Sequence, residues 1–106
     1  MNNGDSQLKV TRVTLENIAV YANHPLKRIL PDDTWSALQI GDADLISLAA
    51  GLQDLAQQYK AKARVTPSDI SDDDVRDTVK LVISRAGMGK VADDDADKLI
   101  AAAKAL

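Results

Sequence analysis

A regular stripe of large apolar side chains near the middle of the chain constrains the fold more than any other feature. The stripe has five members at spacings of three, four, three and four residues: Leu45, Leu48, Leu52, Leu55 and Tyr59. This spacing places them on one face of an α-helix, because a helix turns once in about 3.6 residues. The sequence therefore predicts a long amphipathic helix after Gly41. Gly51, inside it, indicates either a weak point or the close approach of a neighbouring helix.

Three further segments have the pattern of helices. Thr14 is predicted to cap a helix that ends near Asn23, just before a proline. Ser71 is predicted to cap another, which Gly87 ends. Asp93 opens the last one, where the helix dipole favours the negative charge of the first turn. With a further turn expected from Leu26 to Leu30, we therefore predict an all-α fold, a four-helix bundle with an extra C-terminal helix.

The predicted domain organisation has three parts. Residues 1–7 are polar and are expected to be disordered. Residues 8–87 form the helical bundle, and residues 88–106 form a C-terminal helical extension. The sequence leaves open whether this extension folds onto the bundle or forms a docking arm.

The composition excludes several kinds of site. The chain has no cysteine, which rules out disulfides, thiolate metal sites and thiol catalysis. Its single histidine, His24, rules out a two-histidine metal site and has no assignable Ser, Cys or paired carboxylate beside it. Asp93, Asp95 and Asp97 are spaced like the start of an EF-hand loop, but Lys98 stands where that loop needs glycine. We predict neither an enzyme nor a metal site.

The charge and hydropathy of the chain also limit its partners and location. The net charge of −3 argues against nucleic-acid binding, which needs a concentrated basic face, and favours a protein partner with a basic docking surface. No segment has the pattern of a signal peptide, and none approaches the roughly 20 apolar residues of a membrane span. We expect a cytoplasmic monomer.

The residues around Gly41 follow the order of a known motif. Pro31-Asp32 precedes the aromatic Trp35, and a series of apolar and acidic residues follows in register: Leu38, Ile40, Asp44, Leu45, Leu48 and Leu52. This order resembles acyl carrier proteins, in which a Pro-Asp loop and an aromatic residue lead into Leu-Gly-x-Asp-Ser-Leu and a leucine-bearing helix. Residues 71–82 are similar to the last helix of that family, and the resemblance runs from Thr14 to Ser84.

The resemblance implies the carrier bundle, but the central motif positions differ. Gly41, Asp42 and Ala43 stand where the motif has Asp, Ser and Leu. In the family that serine accepts phosphopantetheine through its oxygen, and a carboxylate cannot form this stable phosphodiester. Ser47 is the nearest other hydroxyl, but using it as the motif serine puts the later leucines out of register. We therefore expect no cofactor, and phosphopantetheine only if the chain is a divergent true carrier.

Three functional hypotheses remain open from the sequence. The first is a carrier-like interaction protein whose partner-binding residues are Asp42, Asp44, Ser47 and Asp54, with Asp42 also capping its helix. The second is a divergent true acyl carrier in a fatty-acid or polyketide type of biosynthesis. The third is an unrelated small helical regulator or adaptor.

Overall fold

The regular structure is helical, as the sequence predicts. A computed structural model describes residues 3–106, and its helices follow in chain order: α1 (Asn3–Ala22), a 3-10 helix (Leu26–Arg28), α2 (Asp42–Gln57), α3 (Pro67–Ile70), α4 (Val75–Arg85) and α5 (Asp93–Lys104). Over these described residues the only β-type pairing is one backbone bridge between Thr34 and Asp74. The radius of gyration is 12.3 Å, close to the roughly 13 Å of a single domain of about 100 residues.

Helix α1 begins earlier than the sequence predicts. The disorder expected for residues 1–7 is not observed for residues 3–7, which are helical, while residues 1 and 2 lie outside the described part. Thr14 is not a cap but a fully buried residue inside α1, and its hydroxyl donates to the Val10 carbonyl at 2.7 Å. The polar first turns are held by a distant contact, because the Gln7 side chain donates to the Met88 carbonyl at 3.1 Å. A local sequence pattern carries no sign of such a contact.

Helix α2 buries the predicted leucine stripe except at its end. The side chains of Leu45, Leu48, Leu52 and Leu55 are all buried. Tyr59 lies beyond Gln57, where α2 ends, and is 41% exposed, so its place in the stripe is wrong. The Gln57 side chain donates to the Ala63 carbonyl at 2.9 Å, which holds the turn that follows the helix.

Gly51 faces α1 at close range. A Cβ atom at Gly51 would lie 2.8 Å from Oδ1 of Asn17 in α1, which is closer than a Cβ atom comes to another heavy atom. The interpretation of this glycine as a site of close helix approach is confirmed.

The start of α4 differs from the prediction. Asp74 caps it, because its carboxylate accepts a hydrogen bond from the Asp77 amide at 2.9 Å. Ser71, the predicted cap, instead ends α3, whose own start is a capping box between Thr66 and Asp69. Helix α4 therefore begins at Val75, four residues after the predicted cap, and the short α3 lies ahead of that cap.

Helix α5 folds onto the bundle. Gly87 ends α4 as predicted, with a φ of 81° that favours glycine, and the chain then turns back. The apolar side of α5, Ala96, Ile100 and Ala103, is buried in the same core as α1 and α4. Arg12 of α1 also donates to the Ala103 carbonyl at 2.8 Å. Of the two placements that the sequence left open for residues 88–106, the structure has the folded one.

Candidate functional site

The candidate docking surface is the solvent side of α2. We define the α2 face as the four predicted partner-binding residues together with the exposed apolar residue among them: Asp42, Asp44, Ile46, Ser47 and Asp54. All five side chains are exposed. The buried leucines on the opposite side fix the rotation of α2, and so they determine which side chains point to solvent.

Asp42 does not cap α2. Gly41 is the residue before the helix, with φ −86° and ψ 177°, Asp42 is its first residue, and no side chain caps the first turn. The helix begins one residue earlier than a cap at Asp42 requires, since the Leu45 amide donates to the Gly41 carbonyl at 3.0 Å. The Asp42 carboxylate therefore remains exposed at the positive end of the helix dipole, which favours its charge.

The α2 face carries one large apolar side chain between acidic ones. Asp42 and Asp44 are two residues apart and so point about 160° away from each other around the helix axis. Ser47 and Asp54 are seven residues apart and lie almost in line, about 20° apart. Ile46, which is 60% exposed, lies between Asp42 and this line. The structure thus aligns Ser47 with Asp54 but separates the two predicted aspartates at the start of the helix.

Ile46 is the member of this surface that the sequence prediction missed. The signal was present, because Ile46 falls outside the three-and-four spacing of the buried leucines. The Asp42–Gln57 segment also contains no Lys or Arg, so no cation of α2 offsets its carboxylates. A large exposed aliphatic side chain with acidic neighbours suits a partner that presents an apolar group among basic ones.

The loop that leads into α2, residues 29–41, is fastened to α4 and α5. We call it the docking loop. Arg76 of α4 donates from Nη1 to Oδ1 of Asp32 at 2.7 Å, and from Nε and Nη2 to the two carboxylate oxygens of Asp97 in α5 at 2.7 and 3.2 Å. The hydrogen bonds to Asp97 and then Asp32 raise the pKa of the Arg76 guanidinium above its ordinary value. Trp35, near the middle of the loop, is buried and donates to the Ile70 carbonyl at 2.6 Å.

A concave surface runs along α4. It is a groove of about 430 Å³ whose lining includes Asp69, Asp73, Asp77, Lys80 and Lys90. Burial, followed by repulsion from Asp77 and the neighbouring aspartates, raises the pKa of Asp73 to about 6. The lining belongs to α3, α4 and the segments next to them, so this groove is separate from the α2 face.

Two of the three acidic residues that mimic an EF-hand loop serve as ion-pair partners. Asp93 binds Lys80 at 2.6 Å, and Asp97 binds Arg76 at 2.7 Å. Across residues 3–106, no three or more His, Cys, Asp or Glu side chains come together as a metal site. His24 is exposed in the connection between α1 and the 3-10 helix.

Two further findings bear on the class of protein. None of the helices in the described part of the chain has the length and apolarity needed to cross a membrane. A scan of the chain against protein-family models gives no match, and searches of curated proteins and of solved structures give none either. The functional interpretation therefore depends on the residues themselves.

Proposed function

We propose that this chain is an acyl-carrier-like interaction protein that works without a covalent prosthetic group. In this proposal the α2 face binds a protein partner that has a basic docking surface. The observation that carries the proposal is the position of Asp42. The residue that takes the place of the motif serine is the exposed first residue of a long helix, after a long loop and before a short helix and α4.

The backbone at Gln39 supports the register of the motif. Gln39 stands at the glycine of Leu-Gly-x-Asp-Ser-Leu, counted from Leu38. Its φ is 59°, in the left-handed region that favours glycine and costs other residues roughly 1 kcal/mol. A conformation suited to glycine, at the place where the motif has glycine, favours the alignment in which Asp42 replaces the serine.

The chemistry of the α2 face supports binding rather than covalent transfer. A carboxylate at position 42 cannot carry a stable phosphodiester, and the exposed groups beside it are a carboxylate, an aliphatic side chain and a hydroxyl. Surfaces of this kind obtain specificity and fast association from charge complementarity. The proposed partner therefore presents Lys or Arg side chains around an apolar group.

The register is tested by phosphopantetheine transfer. The native chain, Asp42→Ser and the matched Asp42→Ala variant are incubated with coenzyme A and a broad-specificity phosphopantetheinyl transferase, and intact masses are measured. We expect only Asp42→Ser to gain the group. Modification of the native chain would make it a true carrier with a different attachment residue. Modification of none of the three would favour the unrelated helical regulator.

The partner-binding role is tested by a charge introduced at the large apolar residue of the α2 face. Ile46→Lys is compared with Leu106→Lys, which changes another exposed apolar residue, 68% exposed, at the end of the chain. Proteins captured from an extract of the source cells are identified by mass spectrometry. We expect the partner to be lost with Ile46→Lys and kept with Leu106→Lys. Equal capture by both variants would remove the α2 face as the binding surface.

A further inference from the structure

The last helix holds both ends of one stretch of the docking loop. Near the start of the loop, Lys104 of α5 donates from Nζ to the Ile29 carbonyl at 2.8 Å. Three residues later, Asp32 is joined to Asp97 of α5 through the guanidinium of Arg76. We call Asp32, Arg76 and Asp97 the Arg76 clasp.

The backbone of the loop is also attached to α4, but by different groups. The Arg76 amide donates to the Pro31 carbonyl at 2.9 Å, and the Val75 amide donates to the Asp33 carbonyl at 3.0 Å. These bonds satisfy amides of the first turn of α4, which have no partner within the helix. Helix α4 therefore holds the loop through two backbone bonds and through the Arg76 side chain, whereas α5 holds it directly through Lys104 and indirectly through Asp97, which binds Arg76.

The two halves of the Arg76 clasp are not equivalent. The Asp97 carboxylate receives two hydrogen bonds from Arg76 and is 40% exposed, whereas the Asp32 side chain is 82% exposed. A paired carboxylate–guanidinium contact fixes orientation as well as distance. Asp97 therefore sets the direction in which Arg76 points, and Arg76 in turn positions Asp32 and the loop.

We propose that α5 regulates the α2 face by ordering the docking loop through the Arg76 clasp and Lys104. When these contacts are made, the loop has one conformation up to Gly41, and this conformation fixes the start of α2. With them broken, the loop and the first turn of α2 open more often. That α5 regulates partner binding rests on the proposed function of the α2 face. The effect of the α5 contacts on the order of the docking loop can be measured without a partner.

Hydrogen–deuterium exchange of the full chain, followed by mass spectrometry, tests this coupling. Asp97→Asn removes the charge that orients Arg76. Asp95→Asn is the matched control, because it removes the same charge from an exposed residue of the same helix. We expect amides of residues 29–41 and the first turn of α2 to exchange about tenfold faster in Asp97→Asn, the effect of losing one charge-assisted hydrogen bond. The control should exchange as the native chain does.

A second variant tests the other attachment point. Lys104→Gln shortens the reach to the Ile29 carbonyl and should accelerate the same loop peptides, with the largest change near residue 29. Equal loop exchange in Asp97→Asn and Asp95→Asn would overturn the proposal. Acceleration spread over all helices would also overturn it, since Asp97 would then support the whole fold rather than the loop. Neither result depends on the outcome of phosphopantetheine transfer.

Discussion

At the scale of single residues, Asp73 is the clearest source of pH dependence. Burial and the neighbouring aspartates raise its pKa from 3.8 to about 6. The folded state therefore holds this proton more tightly than the unfolded state does, and stability falls as the pH rises from about 4 to about 6. Above this window, folding carries the cost of an ionised and partly desolvated carboxylate.

Asp73→Asn should remove this cost. We expect the free energy of unfolding at pH 7.5 to rise by about 1 kcal/mol, a value reduced for the solvent screening of a partly exposed group, and to change little at pH 4. Urea unfolding at the two pH values measures the difference. Asp72→Asn, at an exposed neighbour, is the control and should give a smaller gain. An Asp73→Asn gain that is equal at both pH values would contradict the assignment.

The cap residues show why residue-level prediction has limits. Thr14, Ser71 and Asp42 all have side chains that can cap a helix, yet none of them caps the predicted one. Capping needs an extended backbone at that residue and free amides just ahead of it, and both depend on where the chain packs. Gly87 was predictable as a helix end, because helices often end at a residue with a positive φ and few residues other than glycine adopt one.

At the scale of elements, the contact between α1 and α2 determines how well the protein tolerates a larger residue at position 51. Replacing glycine by alanine inside a helix gains about 1 kcal/mol of propensity. Here the new methyl group would press on Asn17, whose amide is held by the Val13 carbonyl at 2.9 Å. We expect Gly51→Ala to change stability by less than about 0.5 kcal/mol alone, and to gain about 1 kcal/mol in an Asn17→Ala background. A double-mutant cycle from chemical denaturation measures this coupling, and equal effects in both backgrounds would show that the side chains do not meet.

Strongly periodic elements were predictable, but the starts of α1 and α4 were not. The leucines of α2 reveal their helix because one side of it is apolar and the other polar. The first turns of α1 lack this contrast, since residues 3–7 are all polar or glycine, and the contact of Gln7 with Met88 is distant in sequence. The site divides in the same way. The exposure of Asp42, Asp44, Ser47 and Asp54 was predictable, because these residues lie outside the buried leucine stripe. The Arg76 clasp joins residues 44 and 21 positions apart in sequence, and no local pattern encodes it.

At the scale of the whole molecule, the core is shared by the bundle and the last helix. Ile100→Ala should lower the free energy of unfolding by about 2–5 kcal/mol, because Ile100 is 1% exposed and its loss leaves a cavity. The transition followed by Trp35 fluorescence should shift together with the loss of helical circular dichroism. Leu106→Ala, at an exposed position, should change stability by less than about 0.5 kcal/mol. A partial loss of helix with an unchanged Trp35 transition would show that α5 folds separately.

The packing of α1 against α5 affects the order in which the chain can fold during synthesis. Gln7 and Arg12 find their partners 81 and 91 residues further along. Closing a loop of this length is slow compared with forming a helix, and the contact of Arg12 cannot form until α5 has left the ribosome. Helix α1 therefore reaches its final packing only after α5 has been made, and during translation the side of α1 that α5 covers is exposed to chaperones and proteases.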